Sequence, residues 1–318
     1  MDRACAIVAG PTATGKTKLA IALAKEINGA VISADSMQVY RGMDIGTAKV
    51  RPEETEGIRH YLIDCLEPEE SFHVQRFQQM AKQAMEEIRA AGQVPVFAGG
   101  TGFYLQAVLR DIDFSESSGE SSLRDQLASL AQENGREALH ARLQEVDPEA
   151  AWAIHPNNAK RVIRALEFRM QTGAPISEHN RRQLDRPFAF PCAYFVLTDR
   201  RDLLYQRIDA RVDQMVADGL PEEVRRLAER GLTEEHTSMK ALGYRQLFPV
   251  LRGTCTLEEA VRKIKTETRH FAKRQLTWFR RERDVCWIDR SAFDQDDARI
   301  LAYMLEKWKE LDRDNGSK

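Results

Sequence analysis

Cysteine is scarce and dispersed in this 318-residue chain: Cys5, Cys65, Cys192, Cys255 and Cys286 form no Cys-x-x-Cys pair. That spacing argues against a disulfide framework and against a cysteine zinc site, and it fits reduced thiols in a cytoplasmic protein. Long hydrophobic runs are missing too, since nothing approaches the roughly 18 apolar residues a membrane helix needs. The opening Met1–Gly10 holds too short an apolar run for a secretory signal, and Asn315-Gly316-Ser317-Lys318 carries no lipidation signal. No membrane partner is expected. Net charge is nearly absent, with 47 Lys and Arg against 49 Asp and Glu, or −2. There is no internal repeat and no long low-complexity segment. A hydrophobic share of 42% with 30% charged residues excludes a disordered chain.

The charge that is present is segregated. Residues 113–149 hold nine acids and three bases, residues 157–186 seven bases and three acids, and residues 261–283 nine bases and two acids. A local balance of +7 in a neutral chain points to an anionic partner at one place rather than to general stickiness.

Apolar runs at Cys5–Ala9, Ala30–Ala34 and Val94–Ala98 read as strands, and Lys16–Ile27 and Phe72–Ala91 read as helices. Strands alternating with helices predict a parallel sheet with helices on its faces. From residue 113 the pattern changes. Ser115–Ser122 reads as a surface loop, and Leu123–Gln132, Glu137–Glu145 and Asn158–Thr172 read as helices with no convincing strand among them. Strand character returns at Ala193–Leu197 and Val285–Ile288 within a mostly helical remainder. The expected fold class is α/β: a core of residues 1–112 and 191–318, with an all-helical insertion over 113–190.

Gly10-Pro11-Thr12-Ala13-Thr14-Gly15-Lys16-Thr17 fits the phosphate-loop pattern, between a predicted strand and a predicted helix. Small residues let backbone N–H groups close around phosphate oxygens, and the helix N-terminus adds partial positive charge. Lys16 reaches the terminal phosphates, and Thr17 offers its hydroxyl to magnesium. The motif does not choose among kinases, NTPases and other transferases. Asp35 follows the second apolar run, at the sheet edge where open α/β folds bind ligands, as a general base, a metal ligand or a turn cap. Gly99-Gly100-Thr101-Gly102 brings amides and a hydroxyl to the same edge.

Together these segments resemble the bacterial tRNA dimethylallyltransferases, or tRNA isopentenylpyrophosphate transferases. The resemblance rests on Gly10–Thr17, Asp35–Lys49, Ser71–Phe77 and Gly99–Leu105, and continues through His155–Asn158, Lys160–Glu167, Gly243–Gln246 and Thr268–Arg280. It implies a P-loop core with a helical insertion that grips the anticodon stem-loop. It also implies transfer of a dimethylallyl group from dimethylallyl diphosphate to N6 of adenosine 37 in tRNA, with Mg2+ held by Thr17. Asp35 is the implied base. Lys16, Thr101 and Arg211 are the implied diphosphate-stabilising groups, with Arg207 an alternative to Arg211. The implied tRNA contacts are Asp35, Ser36, Met37, Gln38 and Thr101, then Lys160, Arg161 and Arg164, then Lys240, Gly243, Tyr244 and Arg245. On the basic helix they are Lys273, Arg274, Gln275, Trp278 and Arg280.

On that helix Val261, Ile264, Thr268, Phe271, Gln275 and Phe279 recur at helical spacing and predict a core-facing stripe beneath the basic faces. A single chain holds every motif, so a monomer is expected. The rival readings are a nucleoside or small-molecule kinase and a non-catalytic RNA-binding protein.

Overall fold

The computed structural model describes residues 4–114 and 121–316. Residues 115–120, most of the expected loop Ser115–Ser122, lie outside the described residues. The chain divides into two compact units, one of residues 1–108 with 190–318, the other Leu109–Ala189.

The first unit is built on strands β1 (Cys5–Ala9), β2 (Gly29–Ser33), β3 (His60–Tyr61), β4 (Val94–Gly99), β5 (Cys192–Thr198) and β6 (Cys286–Asp289). They form one parallel sheet in the order β3-β2-β4-β1-β5-β6. Every residue of β1 is buried, as expected of a strand covered on both faces. The register sets Ala9 beside Gly99 and Val196, and Ser33 beside Ala98, so these strands end together at one edge. The loops that follow β1, β2 and β4 carry Gly10–Thr17, Asp35 and Gly99–Gly102 to that edge.

Helices α1 (Lys16–Glu26), α2 (Val74–Ala90) and α3 (Gly102–Leu109) follow β1, β3 and β4. Helix α1 buries Leu19, Ala20, Ile21, Leu23 and Ala24 against the sheet. Truncating the fully buried Leu23 to alanine costs about 2–5 kcal/mol. His73 caps α2 by accepting the Arg76 N–H at 3.3 Å, which supplies a structural role for this residue.

The second unit holds α4 (Ser121–Glu133), α5 (Gly135–Val146), α6 (Pro148–Ala153), α7 (Ala159–Thr172) and α8 (Ile176–Asp185). Leu127, Leu139, Leu143, Val162, Ala165 and Leu166 form its core. Asp147 knits two short helices into it, accepting the Ala150 N–H at 3.0 Å and the Ser177 N–H and hydroxyl at 3.0 and 2.6 Å. Helix α7 ends where Gly173 adopts a positive φ of 73°.

The remaining α-helices of the first unit are α9 (Arg201–Ala217), α10 (Leu220–Glu229), α11 (Tyr244–Leu251), α12 (Leu257–Phe279) and α13 (Asp297–Gly316). Helix α13 seals the core, with Ile300, Met304 and Trp308 packed among β1, β5 and α1 residues. Helix α12 opens with a capping box between Thr256 and Glu259. It buries Ile264, Gln275 and Phe279, while Val261, Thr268 and Phe271 are half-buried. The expected inward stripe is therefore present.

Candidate active site

The loop after β1 closes tightly because its first residue has no side chain. Gly10 has φ 138°, and a Cβ there would lie 2.4 Å from the Leu197 carbonyl oxygen. The buried Thr14 hydroxyl donates to the Pro11 carbonyl at 2.8 Å, and Lys16 Nζ donates to the same carbonyl at 2.6 Å. The lysine therefore folds back over the loop it serves. Its pKa is held down to about 7, first by burial and then by the Arg211 guanidinium, with Asp35 pulling the other way. Lys16 and Arg211 together form a cationic pair that an anion would relieve.

Arg211 comes from α9, and its Nη1 lies 3.5 Å from the Thr12 hydroxyl. Its partner in sequence takes a different path: Arg207 pairs with Asp199 at 2.7 Å and donates to Gln295 at 2.6 Å. Of the two candidate arginines, it is Arg211 that reaches the phosphate loop. Thr17, the expected magnesium residue, is exposed in the first turn of α1.

Asp35 lies two residues beyond the end of β2, and its Oδ1 accepts the Met37 N–H at 2.8 Å. The Thr101 N–H donates to the Ala34 carbonyl at 3.3 Å, which lays Thr101 beside the Asp35 turn. Ser36 and Met37 are half-buried in that turn. Gln38 is fully engaged. It accepts the Ser33 hydroxyl at 2.8 Å and donates to the Thr47 and Ala48 carbonyls at 3.2 and 3.3 Å.

Three other residues expected at an RNA surface, Gln275, Tyr244 and Gly243, are buried. Gln275 bridges two glycine loops, accepting the Thr12 N–H at 3.0 Å and donating to the Gly100 carbonyl at 2.9 Å. Tyr244 is fully buried, with its hydroxyl 2.6 Å from Glu223. Trp278 is half-buried and packs edge-on against Phe103, at 5.9 Å between ring centroids. Lys240, Lys273, Arg274 and Arg280 are exposed. Arg245 pairs with Glu267. Within the helical unit Lys160 and Arg161 are exposed, while Arg164 and Arg124 share the buried carboxylate of Glu167.

A residue absent from the sequence expectations also supports the loop. Arg290, 7% exposed, donates to the Thr14 carbonyl at 3.3 Å and pairs with Asp297 at 2.7 Å. Its position directly after the β6 run, at the carboxyl end of a strand, is the signal that points to it.

An open cleft of about 1050 Å³ adjoins the loop, lined by Lys16, Thr17 and Arg211 at one place and by Ile45, Ala48 and Met215 elsewhere. Among the described residues no group of three His, Cys, Asp or Glu side chains is arranged to hold a metal ion. No helix among them is long and apolar enough to cross a membrane.

The family model described as IPP transferase matches residues 38–282. A tRNA dimethylallyltransferase of Lachnoclostridium phytofermentans is 54% identical, over 94% of this chain and 96% of that protein. One from Geobacillus thermodenitrificans is 49% identical over 91% of each. The solved tRNA isopentenylpyrophosphate transferase of Bacillus halodurans superposes with a TM-score of 0.73 at 42% identity, covering 99% of this chain and 100% of that one. A eukaryotic dimethylallyltransferase solved acting on tRNA gives a TM-score of 0.77 at 31% identity, over 90% of this chain and 74% of that one. With a phosphate loop, an aspartate and a glycine loop meeting at one sheet edge, and relatives matching nearly end to end, the chain belongs to the IPP transferase family of prenyltransferases.

Proposed function

We propose that this protein transfers the dimethylallyl group of dimethylallyl diphosphate to N6 of adenosine 37 in tRNA, acting as a cytoplasmic monomer. The observation that carries the reading is that the phosphate loop, with Lys16 in it and Arg211 against its Thr12, and the Asp35 turn follow strands that end together at one sheet edge. The cations suit a diphosphate, and the carboxylate suits a proton acceptor. The N6 lone pair is delocalised into the adenine ring, so the amine is a poor nucleophile. As N6 bonds to the allylic carbon, the carbon–oxygen bond breaks and its electron pair leaves with diphosphate. The N6 proton passes to the Asp35 carboxylate. Charge grows on the diphosphate during this step, so the Gly10–Thr17 amides, Lys16, Arg211 and Thr101 act most strongly in the transition state.

The donor set suits magnesium, which keeps most of its water and substrate-oxygen ligands and needs few from the protein. Thr17 would hold it, since it is an exposed hydroxyl residue next to Lys16 in the first turn of α1. When bound there it would offset diphosphate charge. The target adenine must leave the anticodon-loop stack, at a cost of a few kcal/mol that a single-stranded loop reduces. The exposed Lys273 and Arg274 of α12 and Arg280 just beyond its end, with Lys160 and Arg161 of the helical unit, are proposed phosphate contacts to the tRNA.

The test uses labelled dimethylallyl diphosphate, magnesium and an unmodified tRNA with adenosine at position 37, beside a tube of labelled ATP and a nucleoside. Label entering tRNA, and lost when adenosine 37 becomes guanosine, is the expected result. Phosphate moving in the ATP tube with no label in tRNA overturns it in favour of a kinase.

A further inference from the structure

A buried carboxylate remote in sequence grips a segment nine to eleven residues beyond Asp35. Glu223 on α10 is 1% exposed. Its Oε2 accepts the N–H groups of Asp44 and Ile45, each at 2.9 Å, and its Oε1 accepts the Gly46 N–H at 3.2 Å and the Tyr244 hydroxyl at 2.6 Å. These four donors match the lone-pair sites of an ionised carboxylate. Burial, then the neighbouring Glu223 charge, keeps Tyr244 well above the usual phenol range, so its hydroxyl remains a donor. Gly46 presses on the Tyr244 ring, where a Cβ would lie 2.4 Å from a ring carbon.

The grip is transmitted in two steps. Directly beyond Gly46, the Thr47 and Ala48 carbonyls accept both hydrogen bonds of Gln38 Nε2, and Gln38 Oε1 accepts the hydroxyl of Ser33 at the end of β2. Asp35 lies in the short bend between Ser33 and Gln38. The bend is therefore clamped across its mouth by Gln38, and Gln38 is held by the segment that Glu223 anchors. Three consecutive backbone N–H groups satisfied by one side chain leave that segment little freedom, and successive hydrogen bonds pass the restraint on.

We propose that Glu223, with Tyr244, is a positioning residue for the proposed base Asp35, acting through the Asp44–Ala48 segment and Gln38. This rests on the proposed role of Asp35. A carboxylate displaced by about 1 Å from the N6 proton loses much of its rate advantage. The phosphate loop makes none of these contacts, so its hold on diphosphate is left alone.

The experiment is steady-state kinetics on Glu223→Gln, Tyr244→Phe, Gln38→Ala and the Glu223→Gln/Gln38→Ala double variant, with Asp35→Ala and Leu227→Ala alongside. Glu223→Gln keeps the shape but places an amide donor against backbone N–H groups. It is expected to lower kcat about tenfold with KM for dimethylallyl diphosphate within about twofold, and Tyr244→Phe to lower kcat less. The double variant is expected to match the worse single variant, because both break one chain of contacts. Leu227→Ala, a core truncation on the same helix, controls for lost stability and is expected to keep kcat per folded enzyme. If Asp35→Ala abolishes transfer while Glu223→Gln retains full kcat, the positioning role is wrong. Additive losses in the double variant, or an equal kcat loss in Leu227→Ala, also overturn it. Undiminished transfer by Asp35→Ala instead removes the base reading itself.

Discussion

The phosphate edge of the sheet and the helical unit Leu109–Ala189, both proposed above to face an anionic partner, have opposite constructions. At the edge, side chains from distant elements are committed to the loops. Lys16 lies on Pro11, Gln275 ties Thr12 to Gly100, Arg290 supports Thr14, and Glu223 holds Asp44, Ile45 and Gly46. In the helical unit a small aliphatic core carries exposed Lys160 and Arg161, and one buried carboxylate, Glu167, takes two arginines. Fixed dipoles aimed at one place favour a transition state. Mobile exposed cations favour a polyanion, with little geometric demand and strong sensitivity to salt. The exposed face of α12 follows the second design, although Lys265 and Arg269 of that helix are spent on Asp213 and Asp209 of α9.

The contrast predicts that variants at the edge separate chemistry from tRNA binding. Asp35→Ala is expected to lower kcat about 10³-fold while tRNA affinity measured by filter binding stays within about twofold. Parallel loss of both would break the division. Next in size, Arg211→Ala is expected to lower kcat/KM for dimethylallyl diphosphate about 10²-fold, against a small loss for Arg207→Ala. The reverse order would show that the long Arg211–Thr12 contact of 3.5 Å misleads.

Lys16 predicts a pH effect on diphosphate binding. Burial and Arg211 hold Lys16 down to about 7 before diphosphate binds, and a bound diphosphate raises that value, so the protonated form binds better. Affinity is then lost as pH rises above about 7, by up to about tenfold per unit, and binding draws a proton from solution. Calorimetric titration in buffers of different ionisation heat detects that uptake. A wild-type response as flat as that of Lys16→Met would refute it.

The smallest expected effect belongs to the exposed face. Lys273→Glu with Arg274→Glu should weaken tRNA binding about tenfold and reduce the slope of log affinity against log salt by about 2, with kcat at saturating tRNA unchanged. An unaltered slope would make that face a solvated surface only.

Much of the fold was legible before any tertiary information. The strand runs at Cys5–Ala9, Ala30–Ala34, Val94–Ala98 and Ala193–Leu197 fall within a residue of β1, β2, β4 and β5. A strand buried on both faces must be continuously apolar, so it announces itself. The strand β3 is two residues long, and α6 and α8 span 6 and 10 residues, too short for periodicity to show. Their existence depends on partners, as the double grip of Asp147 on Ala150 and Ser177 shows.

The phosphate loop and the alternation of strand and helix were determined by the sequence alone, because turn geometry, helix initiation and apolar runs are local properties of neighbouring residues. Only the tertiary structure decided that Arg211 rather than Arg207 reaches Thr12, 199 positions away. It alone placed Gln275 on Thr12 across 263 positions, and Glu223 on Asp44 across 179. Tyr244 and Gln275 lie in motif strings that suggested RNA contact, yet folding buries both. The spacing of a polar residue shows which face of its own helix it occupies, but whether that face meets solvent or another loop depends on packing among segments that no local pattern connects.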